Sequence, residues 1–136
     1  MDTIFLQGKE IAKRLKQKAK EELEALATPP RLVSILATDE GGAKYYANKQ
    51  KKTFEKLGVD FEIAELSGQA SENEILATIA DLNADPQTTG ILLLMPLPTG
   101  VDSYRLRQKI AANKDVEGIT PTNMGRLFYG DFSVAP

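Results

Sequence analysis

The stretch GILLLMPLP at residues 90–98 limits the possible folds of this chain more than any other segment. Its apolar run, residues 91–95, is far shorter than the roughly 20 residues that a membrane-spanning helix requires. Pro96 and Pro98 lack the amide hydrogen that a continuing helix or strand would need. A short apolar run with such a stop is typical of a strand buried on both faces, which predicts a central strand of a parallel sheet.

Two further strands and several helices are predicted around this strand. The run 31–37 is short and aliphatic, whereas the run 59–66 alternates apolar and polar residues, as a strand nearer the sheet edge does. Helical spacing predicts amphipathic helices at 8–26, 42–57, 71–83 and 101–113, and a short one at 122–128. In the fourth helix Leu106 and Ile110 share the inner face, with Val101 or Tyr104 as a further inward position.

The order strand, helix, strand, helix, strand, helix is the pattern of an α/β fold. It predicts one three-layer, doubly wound domain, residues 1–136, in which helices flank a small parallel sheet. Ligands of such sheets bind beyond the carboxyl ends of the strands. The loop and helix after residue 37, the tip at 94–98 and the loop after residue 113 are therefore expected to lie close together.

The composition excludes several kinds of chemistry. The 136 residues include no Cys and no His, which removes disulfides, thiolate nucleophiles, Cys metal sites and the commonest general base. The formal net charge is -2 and basic residues are interspersed with acidic ones, so neither nucleic acid nor a membrane is the expected partner. The start carries no secretory signal, which favours a cytoplasmic protein with a small-molecule ligand.

The segment YYANKQKK, residues 45–52, places two tyrosines and three lysines on the second helix. Residues four apart share a helical face, so Tyr45 pairs with Lys49 and Tyr46 pairs with Gln50. The first pair would supply an amine, whereas the second would supply a carboxamide, which cannot transfer a proton as an amine can. From spacing alone, a solvated basic face is the more common meaning of such a lysine cluster.

Three motifs resemble the methylenetetrahydrofolate dehydrogenase/cyclohydrolase family. FLQGKEIA at 5–12 is similar to IxGKxIA, GILLLMPLP to GILVQLPLP, and KDVEGITPTNMGRL at 114–127 to KDVDGFHPYNVGRL. The resemblance implies a domain that binds tetrahydrofolate, a following domain that binds NAD or NADP, and a homodimer of the full-length protein. No G-x-G-x-x-G occurs in this chain, so the nucleotide domain is expected after residue 136 and the fragment alone should be inactive.

The family's site residues carry over onto four positions. In the family a tyrosine stacks on the folate and a lysine four residues later transfers protons. Counting back from Gly58 without gaps matches these residues to Tyr46 and Gln50. The glutamine that supports the lysine falls on Leu94, and the aspartate that anchors the pterin falls on Glu117. Two positions thus lose their chemistry, which predicts a dehydrogenase whose cyclohydrolase activity is reduced or lost.

The predicted site also includes an alternative tyrosine and lysine pair, the tip after the third strand and the loop after residue 113. An alternative register, which needs a deletion before the helix and an insertion within it, puts Tyr45 and Lys49 at the tyrosine and lysine positions. The tip residues expected to contact substrate are Pro96, Leu97 and Pro98. Loop residues that match the family are expected to shape the cleft and the hinge, with Asp115 either touching ligand or bracing the loop: Asp115, Gly118, Pro121, Asn123, Gly125 and Arg126.

Two other functions compete with the dehydrogenase. A phospho-receiver domain has the same layers, and Thr38 with Asp39 would lie at the end of its first strand. Its third strand should end in an aspartate, however, and this one ends in Leu94 and Met95. The other alternative is a non-catalytic folate-binding or assembly domain derived from the family, with those two side chains partly filling the cleft.

Overall fold

The computed structural model describes residues 8–135 and contains a three-stranded parallel sheet with helices on both faces. The predicted three-layer α/β domain is confirmed, and the first part of the opening motif, residues 5–7, lies outside the described residues. The elements in chain order are α1 (Gly8–Glu24), β1 (Arg31–Leu36), α2 (Gly41–Glu55), β2 (Asp60–Glu65), α3 (Glu72–Ala84), β3 (Thr88–Leu93), α4 (Ser103–Arg107), α5 (Pro121–Phe128) and a 3-10 turn (Phe132–Val134).

The central strand of the sheet is β1, since the strand order is β2-β1-β3. Leu32 pairs with Phe61 on one side and with Gly90 on the other. The prediction that β3 is central was therefore wrong, whereas the edge position of β2 is confirmed. The apolar character of β3 has another cause, because a loop covers its outer edge. The amide of Ile91 donates to the Lys114 carbonyl at 2.8 Å, and a single parallel bridge joins Ile91 to Asp115.

Side chains of the strands alternate between two cores, as the period of two requires. On one face Ile35 of β1 and Leu93 of β3 pack with buried residues of α3 and α4. On the other face Leu32 packs with Phe61 under α2, where Phe54 stacks on Phe61 at 5.3 Å between ring centroids. The two apolar faces explain why β1 is buried along almost its whole length.

The helix predicted at 101–113 is only five residues long. Asn83 of α3 provides the reason, because its side chain donates to the Lys109 carbonyl at 2.6 Å and accepts from the Ala111 amide at 2.9 Å. Those two backbone groups are thereby withdrawn from helical pairing, and the chain turns after Arg107. The turn still carries Ile110 into the core, whereas Tyr104 is exposed, so Tyr104 is not an inward position.

The first helix is amphipathic as predicted, but none of its residues is buried. Its apolar side chains Ile11 and Leu15 are exposed. Within residues 8–135, no helix combines the length and the apolar content that crossing a bilayer requires.

Candidate functional site

A cavity of about 330 Å³ lies between the second half of α2, the first half of β3 and the loop after α4. Its lining residues Pro30, Val59 and Thr89 lie at the amino ends of the three strands, whereas the sequence predicted a ligand beyond the carboxyl ends. Helix α2 packs mainly on β1 and β2, which leaves this part of β3 uncovered. Apolar side chains supply most of the wall, and Arg31 is the only ionisable residue among those that line it. The lining residues are Pro30, Arg31, Leu32, Gln50, Phe54, Val59, Thr89, Gly90, Leu92 and Val116.

Gln50 provides a polar group on the α2 wall of this cavity. The residue is half-buried, and its Nε2 donates to the hydroxyl oxygen of Tyr46 at 3.3 Å, as residues four apart on a helix can. The other end of the carboxamide, Oε1, is buried and has no hydrogen-bond partner among the described residues. A buried acceptor without a donor is unfavourable, so this carboxamide destabilises the domain slightly as it stands.

Lys49 and Tyr45 lie away from the cavity. Successive helical residues are rotated by about 100°, and Lys49 is accordingly exposed while Gln50 faces inward. Tyr45 is 72% exposed and Tyr46 is 55% exposed. The alternative pair thus presents its amine to solvent rather than to the enclosed space.

Leu94 belongs to the hydrophobic core. It is 7% exposed and packs against Leu36 of β1 and Ala47 of α2, and its amide donates to the Ile35 carbonyl at 3.0 Å. Leu94 therefore does not line the cavity or fill it. Met95, the next residue, is half exposed.

The tip after β3 turns toward the opposite face of the sheet. The Met95–Pro96 peptide bond is cis, and the three tip residues are half-buried. Leu97 packs on the core shared with α3, and Pro98 lines a separate surface cavity beside Gly68 and Ser71. None of the three tip residues that the sequence singled out lines the cavity at Gln50.

The loop KDVEG is fixed to the domain at both of its flanks. The Nζ of Lys114 donates to the carbonyls of Leu82, Asn83 and Asp85 at 2.7–2.9 Å, which caps the carboxyl end of α3. At the cavity wall, a Cβ built on Gly90 would lie 2.5 Å from Cγ1 of Val116, so the loop approaches β3 as closely as glycine permits.

Glu117 lies half-buried at the edge of β3. Burial raises the pKa of its carboxyl above the ordinary value, and the nearby negative charge of Asp115 adds to this effect. The backbone of Leu93 and the charge of Arg107 act in the opposite direction on the Glu117 pKa. Glu117 does not line the cavity. Its neighbour Val116, on the same loop, does line it.

The remaining loop residues hold the loop and α5 in place. The Asp115 carboxylate accepts backbone N–H groups, and Asn123 is buried and donates to it. Gly118 is buried and has φ of +64°, a backbone conformation that favours glycine. Pro121 is the first residue of α5, where its missing N–H is no loss. Arg126 forms an ion pair with Asp131.

Several lining residues were not predicted from the sequence. Phe54 is four residues after Gln50 on α2, so the same spacing that paired Tyr46 with Gln50 could have identified it. Val116 sits between two acidic loop residues and could be found by alternation once the loop is known to run beside β3. Thr89 and Pro30 gave no signal, because their place in the wall depends on how the strand ends stack.

The phospho-receiver alternative is not supported by the strand ends. Thr38 is buried and its Oγ1 accepts the Glu40 amide at 3.3 Å. Asp39 is exposed and accepts the Gly68 amide at 3.1 Å. The chain itself has no acidic residue at the end of β3, where Leu93 is followed by the buried Leu94.

Comparison of the sequence with known proteins identifies a matching family and several relatives. Residues 6–117 match the family model described as tetrahydrofolate dehydrogenase/cyclohydrolase, catalytic domain. The chain is 37% identical over 135 residues to the bifunctional protein FolD 2 of Desulfitobacterium hafniense, covering 97% of this chain and 48% of that protein. It is 35% identical over 128 residues to the bifunctional protein FolD of Thermotoga maritima, covering 94% of this chain and 46% of that protein.

Solved structures share the fold. The crystal structure of the bifunctional FolD methylenetetrahydrofolate dehydrogenase/cyclohydrolase of Campylobacter jejuni superposes with a TM-score of 0.87 at 31% identity, covering 93% of this chain and 46% of that chain. The Trypanosoma brucei enzyme, solved with NADP cofactor and inhibitor, superposes with a TM-score of 0.84 at 22% identity, covering 93% of this chain and 45% of that chain. The chain therefore spans about half the length of these relatives.

Proposed function

The chain belongs to the tetrahydrofolate dehydrogenase/cyclohydrolase family, and on that basis we propose that its cavity binds a tetrahydrofolate derivative for hydride transfer to NAD or NADP. The observation that carries the proposal is the cavity itself, an apolar slot between α2 and β3 whose α2 wall includes the carboxamide of Gln50. Heterocycles that carry N–H donors match such a slot. The nucleotide is proposed to bind outside these residues, which carry no G-x-G-x-x-G.

In this proposal three side chains contact the folate. Tyr46, whose ring is exposed and whose hydroxyl oxygen accepts from Gln50, stacks on the substrate. Gln50 contacts the ligand from the α2 wall of the cavity. Glu117 accepts from the donor groups of the pterin, and its extra methylene relative to aspartate changes its reach.

We propose that this domain supports dehydrogenation but not efficient hydrolysis of the methenyl product. Hydride transfer needs the correct placement of two bound molecules, whereas hydrolysis needs a group that activates water. Gln50 cannot accept a proton at any ordinary pH, and the guanidinium of Arg31 stays protonated. Because Leu94 packs under α2, no side chain from the strand tip replaces the missing base.

Titration of this chain with tetrahydrofolate tests the binding proposal. Tyr46→Ala should weaken binding about 2- to 12-fold, since a stacked aromatic pair is worth about 0.5–1.5 kcal/mol. Tyr45→Ala is the matched control, one residue away and more exposed, and should bind as the unchanged chain does. Equal effects of the two substitutions, or no binding of tetrahydrofolate, would contradict the proposed function.

Gln50→Lys tests the missing base. Hydrolysis of methenyltetrahydrofolate, followed by its absorbance in a protein that joins this domain to a nucleotide-binding domain, should rise by about 10²- to 10⁴-fold. Lys49→Met should leave both half-reactions unchanged. Hydrolysis that is rapid before substitution and abolished by Lys49→Met would show that the alternative register is correct. Binding of tetrahydrofolate without hydride transfer in that protein would identify a non-catalytic binding domain.

A further inference from the structure

One carboxylate holds most of the loop that carries Glu117. Oδ1 of Asp115 accepts the amides of Glu117 and Ile119, both at 3.2 Å. Oδ2 accepts the amide of Thr120 at 2.8 Å and Nδ2 of Asn123 at 3.0 Å. A single side chain therefore fixes four later donors.

The loop needs this anchor because its regular pairing ends early. The bridge between Ile91 and Asp115 is isolated, and the backbone beyond Asp115 pairs with no strand within residues 8–135. The chain then turns at Gly118, whose φ is +64° and whose backbone is buried. Buried amides without partners are unfavourable, and the Asp115 carboxylate supplies the acceptors that a neighbouring strand would have supplied.

The anchor is also tied to the body of the domain. Nδ2 of Asn123, which donates to Asp115, donates as well to the Ala112 carbonyl at 2.8 Å. Asn123 is almost fully buried on α5. Asp115 thus links the turn after α4, the loop and the start of α5. Burial raises the pKa of the Asp115 carboxyl, but the donors at Thr120, Asn123 and Ile119 outweigh burial and hold the pKa below its ordinary value.

We infer that Asp115 is a positioning residue, which sets the direction of the Glu117 carboxylate by holding the Glu117 amide and the turn that follows it. The inference rests on the proposed function, in which Glu117 binds the donor groups of the substrate. Asp115 itself does not touch the ligand. Its effect on binding is transmitted through one backbone amide and through its negative charge, which faces Glu117 together with the opposing charge of Arg107.

A double-mutant cycle with tetrahydrofolate distinguishes positioning from general loss of structure. Asp115→Asn keeps the size of the side chain but turns an amide NH2 group, itself a donor, toward two of the four donors, and the affinity of the chain should fall about tenfold. In the Glu117→Gln background the same substitution should cost much less, because the group that it positions has already been altered. Asp102→Asn, at another carboxylate that accepts a backbone amide, is the control and should leave affinity unchanged.

Two results would overturn the inference. One is an equal loss of affinity from Asp115→Asn in both backgrounds. The other is unchanged hydrogen exchange at the amides of Glu117, Ile119 and Thr120 in Asp115→Asn, measured by NMR without ligand. If Asp115→Asn does not fold, Asn123→Ser can replace it, because it removes one donor from the same carboxylate. It should cause a smaller loss of affinity and of amide protection, and the loss of affinity should again shrink in the Glu117→Gln background.

The two proposals fail in different ways. If the amides are protected and lose protection in Asp115→Asn, but Glu117→Gln binds tetrahydrofolate as well as the unchanged chain, the error lies in the role proposed for Glu117. A titration of the Glu117 carboxyl gives a further readout. Its pKa should fall toward the ordinary value in Asp115→Asn, because the repulsion from Asp115 is removed.

Discussion

The close approach of Val116 to β3 makes Gly90→Ala an informative substitution. A Cβ at this position would lie 2.5 Å from Cγ1 of Val116 and 2.7 Å from Cδ1 of Leu32. Both distances are well below an ordinary carbon contact of about 3.5–4.0 Å, so one of the two side chains must move. Leu32 is buried between strands and Val116 is stiff at χ1. Overpacking of this kind typically costs about 1–3 kcal/mol.

Urea denaturation of the chain measures this cost. Gly90→Ala should lower the free energy of unfolding by about 2 kcal/mol, the middle of the overpacking range. In a Val116→Ala background the same change should cost about 1 kcal/mol less, because one of the two clashing side chains is gone. A cost below 0.5 kcal/mol, roughly the error of such additivity, or one that Val116→Ala does not reduce, would refute the reasoning from close approach. Since both residues line the cavity, tetrahydrofolate affinity should fall in parallel.

Three further substitutions test separate parts of the structure. Leu94→Gln buries a carboxamide under α2 and should lower the free energy of unfolding by about 1–3 kcal/mol in urea titrations, more than the same change at exposed Leu15. Lys114→Met removes three bonds to the carboxyl end of α3 and should cost about 2–3 kcal/mol, whereas Lys109→Met at an exposed side chain should cost little. Ser71→Ala removes the cap of α3 and should cost about 1 kcal/mol. The backbone amide and the hydroxyl of Ser71 lower the pKa of Glu74 from 4.5, so this stabilisation is present above pH 4.5 and is lost as the pH falls through the lowered pKa; Ser71→Ala should reduce it but not abolish it, because the backbone amide of residue 71 still donates to Glu74.

The sequence predicts the layers of this fold better than the neighbours of each strand. The apolar run in β3 correctly predicted burial on both faces, but burial does not reveal which strand is in the middle. The covering of the outer edge of β3 depends on the loop at Asp115, a contact between residues distant in sequence. Likewise, the early end of α4 depends on the side chain of Asn83, which lies on another helix.

In the candidate site, too, local geometry could be predicted from the sequence but contacts between distant residues could not. Helical spacing correctly brought Tyr46 together with Gln50, because neighbours on a helix are fixed by local geometry. The motif around Leu94 allows both a core position and a position at the reaction centre, since strand alternation leaves open whether α2 covers that residue. The bracing contacts of Asp115 were one of two readings of the sequence, and only the three-dimensional path of the loop reveals its four donors.

The central position of β1 has a consequence for how the chain is made. Leu32 pairs with Gly90, which is 58 residues later in the sequence. At synthesis rates of about 5–20 residues per second, one edge of this apolar strand waits about 3–12 s for its partner on a translating ribosome. During that interval β1 and β2 can pair, but the uncovered edge is free to bind a chaperone or another nascent chain. Slower translation of the segment between β2 and β3 would lengthen this exposure and should increase aggregation during synthesis.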